Sequence, residues 1–248
     1  MIGDFKNRAE AGRQLAAAVQ RLQLVDPLVL ALPRGGVPVA AEVARVLGAP
    51  LDLLIVRKIG APGDPELAVA AIAEGDLPTV VIDELTCSGT GTDHAYIKHE
   101  ARTQRCEIER RCKVYRRGTA RLAVAGRTVL VVDDGIATGT TMRAALKALR
   151  RMQPAKVVLA VPVASNHTIY ELSQLVDDVV CLSQPGPFRS VGTYYADFHQ
   201  VDDAEVIALL DASRIPHKHE PEARALRSGE ASLVLPSRSE PVDPLQSC

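Results

Sequence analysis

The chain has 248 residues, 47% hydrophobic and 24% charged, enough to bury one sizeable core with a small appendage but tight for two full domains. Its 29 Lys and Arg against 30 Asp and Glu leave a formal charge of -1, which excludes a chain-wide polyanion binder and leaves any basic surface local. Aromatic residues make up only 3% and Trp is absent, so a carbohydrate cleft or a single-strand channel of stacking platforms is disfavoured.

No apolar run approaches the ~18 residues that span a bilayer, and the start MIGDFKNRAEAGRQL lacks the apolar stretch of a secretory signal. The expectation is a cytoplasmic protein with no membrane partner. Cys87, Cys106, Cys112, Cys181 and Cys248 are odd in number and show no Cys-x-x-Cys spacing, so they read as reduced thiols rather than a disulfide framework or a zinc knuckle.

Asn7 to Leu24 carries apolar residues at helical spacing, and Leu28 to Leu32 is an apolar run of strand length. Pro38 to Leu47 reads as a second helix, with Pro in its first turn and Gly48 just past its end, followed by a strand from Leu51 to Val56. Leu67 to Ala73 and Thr79 to Ile82 flank Glu74-Gly75-Asp76, which suggests a hairpin. Cys87 to Asp93 reads as a flexible loop and His94 to Arg117 as a long, mostly basic helix. Thr128 to Val132 then reads as a buried strand, Thr141 to Arg151 as a helix and Lys156 to Val163 as a further strand, a βαβ crossover. Asn166 to Leu175, Val179 to Leu182 and Asp203 to Leu210 continue the alternation, which argues an α/β fold, a mostly parallel sheet with helices on both faces. The expected domain is 1–212. From 213 to 248, Pro, Ser, Glu, Arg and His dominate, so a disordered tail or linker is expected, where His217 and His219 lack acidic or Cys partners and read as a solvated pair.

The stretch Val131-Val132-Asp133-Asp134-Gly135-Ile136-Ala137-Thr138-Gly139-Thr140-Thr141 places two carboxylates at the carboxyl end of a buried strand, where ligands gather in open α/β sheets. Thr138 to Thr141 lead into a helix whose free N–H groups and positive dipole end suit a phosphate. Two acids beside an anion site make sense if they accept hydrogen bonds from the hydroxyls of a ribose whose 5-phosphate lies on the helix end. Either half alone is an ordinary turn or helix start. Other nucleotide signatures are missing: there is no Gly-x-x-x-x-Gly-Lys-Ser/Thr, no Gly-x-Gly-x-x-Gly between strand and helix, and no Gly-x-Ser-x-Gly.

An aliphatic strand, two acids, three variable residues, then Thr-Gly and a terminal Ser or Thr resembles the phosphoribosyl-pyrophosphate (PRPP) signature of the type I phosphoribosyltransferases. Leu32-Pro33-Arg34-Gly35-Gly36-Val37-Pro38 resembles that family's pyrophosphate loop. The resemblance spans Leu28 to Phe198, leaves the amino-terminal helix and the tail outside it, and looks most like a bacterial group with unassigned acceptors whose members can be fused to hydrolase-like domains.

The resemblance implies a transferase moving 5-phosphoribose from PRPP to a nitrogenous acceptor. Asp133, Asp134, Gly135, Ala137, Thr138, Gly139, Thr140 and Thr141 would hold the ribose and its phosphate, with Asp133 and Asp134 favouring the cationic ring. Arg34, Gly35, Gly36, Arg57 and Lys58 would face the pyrophosphate, and a non-proline cis bond is expected between Pro33 and Arg34. Mg2+ is the implied cofactor, held through PRPP with no direct protein ligand. A flexible loop should shield the site, and a small hood at about 184–200 would bring Phe188, Tyr194 and Tyr195 to a flat acceptor or pack them as core. The family's 6-oxopurine enzymes carry an acid where Ala137 stands and a lysine on the next strand, here AVPVA from Ala160 to Ala164, so hypoxanthine and guanine are not indicated. A homodimer is allowed. Two other readings stay open: a PRPP-sensing regulator that binds RNA or a protein partner, and a merely structural α/β module.

Overall fold

A computed structural model describes residues 4–74 and 79–214. Five parallel strands, β1 (Pro27–Ala31), β2 (Leu51–Leu53), β6 (Thr128–Val132), β7 (Lys156–Val163) and β8 (Asp178–Ser183), form one sheet in the order β2-β1-β6-β7-β8. A second sheet is antiparallel, β3 (Val56–Ala61), β4 (Asp64–Ala73) and β5 (Thr79–Ile82), in chain order.

The parallel strands are buried on both faces because their side chains alternate between two helical layers. Val29, Ala31, Leu130, Val132, Val158 and Ala160 pack with α1 (Arg8–Gln20), α2 (Gly36–Leu47) and α7 (Asp203–Ala212). Leu28, Leu30, Val129, Val131, Val157 and Leu159 pack with α5 (Thr140–Arg151) and α6 (Asn166–Ser173). The expected architecture is therefore present.

Local chemistry sets the ends. The Asn7 side chain accepts from the Glu10 amide at the start of α1, and Gly48 takes a left-handed φ of 60° to close α2, as its place beyond Leu47 suggested. Helix α1 lies close on α2 at Gly12, where a Cβ would come within 2.7 Å of the Val39 carbonyl oxygen.

Two expectations are corrected. The apolar run Leu51 to Val56 is not one strand. It breaks after Leu53, because the Leu53 carbonyl accepts from Arg116 at 3.2 Å and the Ile55 amide donates to the Glu74 carboxylate at 3.0 Å, which turns the chain into the second sheet. Arg57 and Lys58 accordingly stand on β3, opposite Ile72 and Ala71, rather than at the end of a parallel strand. Cys87 to Asp93 is not a free loop either. Helix α3 (Glu84–Thr90) takes most of it, capped by Asp83, which accepts from the Thr86 amide at 3.1 Å, and anchored by buried Cys87.

The β4–β5 hairpin forms as expected, though residues 75–78 of its turn lie outside the described residues. The long basic helix is α4 (His94–Arg116). The expected tail, with His217 and His219, lies outside the described residues from 215 onward. Among the described residues no helix is long and apolar enough to cross a membrane.

Candidate active site

Strand β6 ends at Val132 and delivers Asp133 and Asp134 beside the end of β1, its immediate neighbour. The following turn is held from the other side by β7, whose Val163 carbonyl accepts from the Ile136 amide at 2.9 Å. Thr168, buried in α6, donates to the Ala137 carbonyl at 2.7 Å, and its methyl carbon stands where a Cβ on Gly139 would be, only 2.6 Å away. Gly139 opens α5 with a φ of 72° and offers no side-chain cap. The amides of the first turn of α5, with the hydroxyls of Thr138 and Thr140 3.3 Å apart, thus form an uncapped helix start of the kind that receives anions.

Replacing Thr168 with Val keeps the methyl wall but deletes the bond to Ala137. The expected outcome is a loss of about 1 kcal/mol in stability and faster amide exchange confined to residues 137–140, read by hydrogen-exchange mass spectrometry alongside a melt. Unchanged exchange there would mean the hydroxyl does not hold the turn.

The loop after β1 meets the acids directly. The Pro33–Arg34 bond is cis, as the resemblance implied. The Leu32 amide donates to the Val132 carbonyl at 3.0 Å, and the Gly36 amide to the Leu32 carbonyl at 3.1 Å. A Cβ on Gly35 would land on the Asp134 carboxylate, and one on Gly36 would come within 2.8 Å of the Val132 carbonyl oxygen, so both glycines are required by close approach rather than by φ. Arg34 points toward Asp203, 3.6 Å away, at the start of α7.

The two acids are not equivalent. Asp133 is partly buried and accepts from the Asp134 amide at 2.9 Å. Burial pushes its carboxyl well above the usual carboxylate range, and the charge of Asp134 acts in the same direction. Asp134 is buried and accepts from Arg8 Nε at 2.8 Å. Burial raises this carboxyl too, while the Arg8 guanidinium works against the rise.

Sequence reasoning left the amino-terminal helix outside the resemblance and gave Arg8 no role, whereas Arg8 stands on Asp134. Phe5 pairs in parallel with Tyr195, its amide donating to the Tyr194 carbonyl at 2.9 Å and its carbonyl accepting from Ala196 at 2.8 Å. Residues 4–8 therefore join the 184–200 segment, which contains the short 3-10 turn Val191–Tyr194. Tyr195 is core: its ring lies 5.4 Å from Phe5 and 5.0 Å from Phe198, and its hydroxyl donates to the Asp134 carbonyl at 2.5 Å. Phe188 and Tyr194, 5.2 Å apart, are only partly buried. Arg57 Nε donates to Gln104 at 2.9 Å, which engages it with α4.

Residues 1–197 match the phosphoribosyl transferase domain family, so the match includes the amino-terminal helix. A Mycobacterium tuberculosis protein named for phosphoribosyl transfer is 43% identical over 238 residues, covering 96% of this chain and 52% of that one. The chain thus spans about half the length of the curated relatives it matches. The crystal structure of TT1426 from Thermus thermophilus is 45% identical, with a TM-score of 0.76 over 85% of this chain and 98% of that one. With acids, glycine loop and helix start gathered at one sheet edge and the family match running through all of them, the chain belongs to the phosphoribosyl transferase domain family.

Proposed function

We propose that the chain transfers 5-phosphoribose from PRPP to a nitrogenous acceptor with release of pyrophosphate. The observation that carries this reading is the direct contact of the Gly35-Gly36 loop with the acid pair, one strand away from the uncapped start of α5. A ligand with a phosphate at each end and a diol between them fits that arrangement. The amides of the first turn of α5 and the Thr138, Thr140 and Thr141 hydroxyls would take the 5-phosphate, Gly135, Ala137 and Gly139 giving that turn its shape. Asp133 and Asp134 would face the ribose, and Arg34, Gly35, Gly36, Arg57 and Lys58 would face the pyrophosphate.

In the reaction the bond from the anomeric carbon to the pyrophosphate oxygen breaks, its electron pair leaves with pyrophosphate, and an acceptor nitrogen forms the new bond. Positive charge grows on the sugar ring, so fixed carboxylates below it and fixed donors around the leaving group lower the barrier together. Ala137 provides no side-chain base, so the acceptor releases its proton to water or arrives with a nitrogen lone pair already free.

The donor set fits a magnesium ion that travels with PRPP. Mg2+ prefers ligand phosphates and waters with few carboxylates, and among the described residues no cluster of three His, Cys, Asp or Glu forms a protein cage. When bound, the ion neutralises the departing pyrophosphate.

The RNA-sensor reading receives less support. On α4, Arg105 pairs with Glu109 at 2.7 Å, Arg110 and Arg111 pair with Glu107 at 2.8 and 2.7 Å, and the part-buried Arg116 pairs with Asp52 at 3.1 Å. Those cations already have partners.

The test is magnesium-dependent release of pyrophosphate from PRPP over a panel of purines, pyrimidines and other amines. Release with one acceptor class and not with hypoxanthine or guanine is expected. PRPP binding without turnover on any acceptor, together with salt-sensitive RNA binding, would replace the transferase reading with the regulator.

A further inference from the structure

Arg8 is 6% exposed and Asp134 9% exposed, an ion pair whose members lie 126 residues apart in the sequence. The guanidinium does more than neutralise the acid. Its Nη1 donates to the His199 carbonyl at 2.7 Å, and its central carbon lies 3.8 Å from the centre of the Phe198 ring, so one side chain clasps the segment that follows Tyr195. Asp134 is held at three further points: its carbonyl by the Tyr195 hydroxyl, its amide by Asp133, and its carboxylate against Gly35.

We propose that Arg8 is a positioning residue that locks Asp134 as the joint between hood and pyrophosphate loop. The proposal rests on the PRPP reading above. Asp134 is the internal counter-charge that fixes three segments relative to one another: residues 5–8, the Pro33–Gly36 turn and the hood. Arg8 acts through Asp134, and a side chain unable to place a donor at Asp134 while contacting the His199 carbonyl should lose the effect.

A double-mutant cycle on PRPP affinity tests whether Arg8 acts through Asp134. PRPP with Mg2+ is titrated calorimetrically into the wild type, Arg8→Met, Asp134→Asn and the double variant, each first checked by melting so that only folded protein is compared. Each single change is expected to weaken binding about tenfold, and the double variant to be within about threefold of the singles, because both remove the same joint. Arg8→Lys, which keeps the charge but not the fork, is expected to recover part of the loss. A double variant weakened about a hundredfold, the product of the singles, would show Asp134 gripping the ligand independently of Arg8 and overturn the proposal. So would wild-type affinity in Arg8→Met. If the wild type itself fails to bind PRPP, the functional reading falls first, and the role given to Arg8 with it.

Discussion

Arg116→Met is expected to cost about 3–5 kcal/mol of stability, seen as a fall in melting temperature of about 10 °C. Arg116 ends α4 and reaches into the junction of the two sheets. It donates to Asp52 at 3.1 Å and to Glu74 Oε1 at 2.9 Å, pairs also with Glu74 Oε2, and donates to the Leu53 carbonyl. The two acids also serve the backbone, Asp52 accepting from Leu53 and Leu122 and Glu74 from Ile55. Methionine would fill the volume but leave two buried carboxylates without their cation, which is the costly case. Arg105→Met on the exposed side of the same helix is the control, since its pair with Glu109 is solvent-screened and its melt should overlay the wild type. Equal shifts for the two variants would mean that the buried network does not hold the sheets together.

Asp133→Asn is expected to lower PRPP-dependent turnover on the order of 100-fold or more while leaving the melt nearly unchanged. The substitution keeps the shape and one acceptor oxygen but removes the charge that would stabilise the cationic ring. The pH dependence gives a second readout. The folded-state pKa of Asp133 is raised, so the unliganded site holds a proton to higher pH than a free carboxyl would. Activity that needs the carboxylate is then lost as pH falls through that raised value. In stability the sign is opposite: a raised carboxyl favours the fold as pH falls through its folded-state value, and the gain levels off below its unfolded value. Asp133→Asn should weaken both effects, leaving the contributions of Asp134 and of the ligand's own phosphates. A pH–rate profile identical to the wild type would remove Asp133 from the chemistry.

The crossover around β6, α5 and β7 was legible because four apolar residues behind two acids, and an amphipathic helix behind Thr-Gly, each admit one structure. The same holds for α2, bounded by Gly35 and Gly48. The break after Leu53 was not legible, since Leu54 and Ile55 continue the apolar run and only the distant Arg116 and Glu74 interrupt it. Helix α3 escaped because Ser88, Gly89 and Thr90 are weak helix formers, and its hold comes from a cap and one buried thiol. Arg8 carried no local signal at all: it sits on a helix start like many solvated arginines, and its partner lies 126 residues away.

The contact at Gly12 gives this arrangement an unexpected sensitivity. Because α1 rests on α2 with no room for a methyl group there, the spacing of the two helices helps set where a guanidinium stands beside the acids. Drift at that seam would register in catalytic constants before it registered as unfolding, and random screens for impaired enzymes should return substitutions far from the cleft.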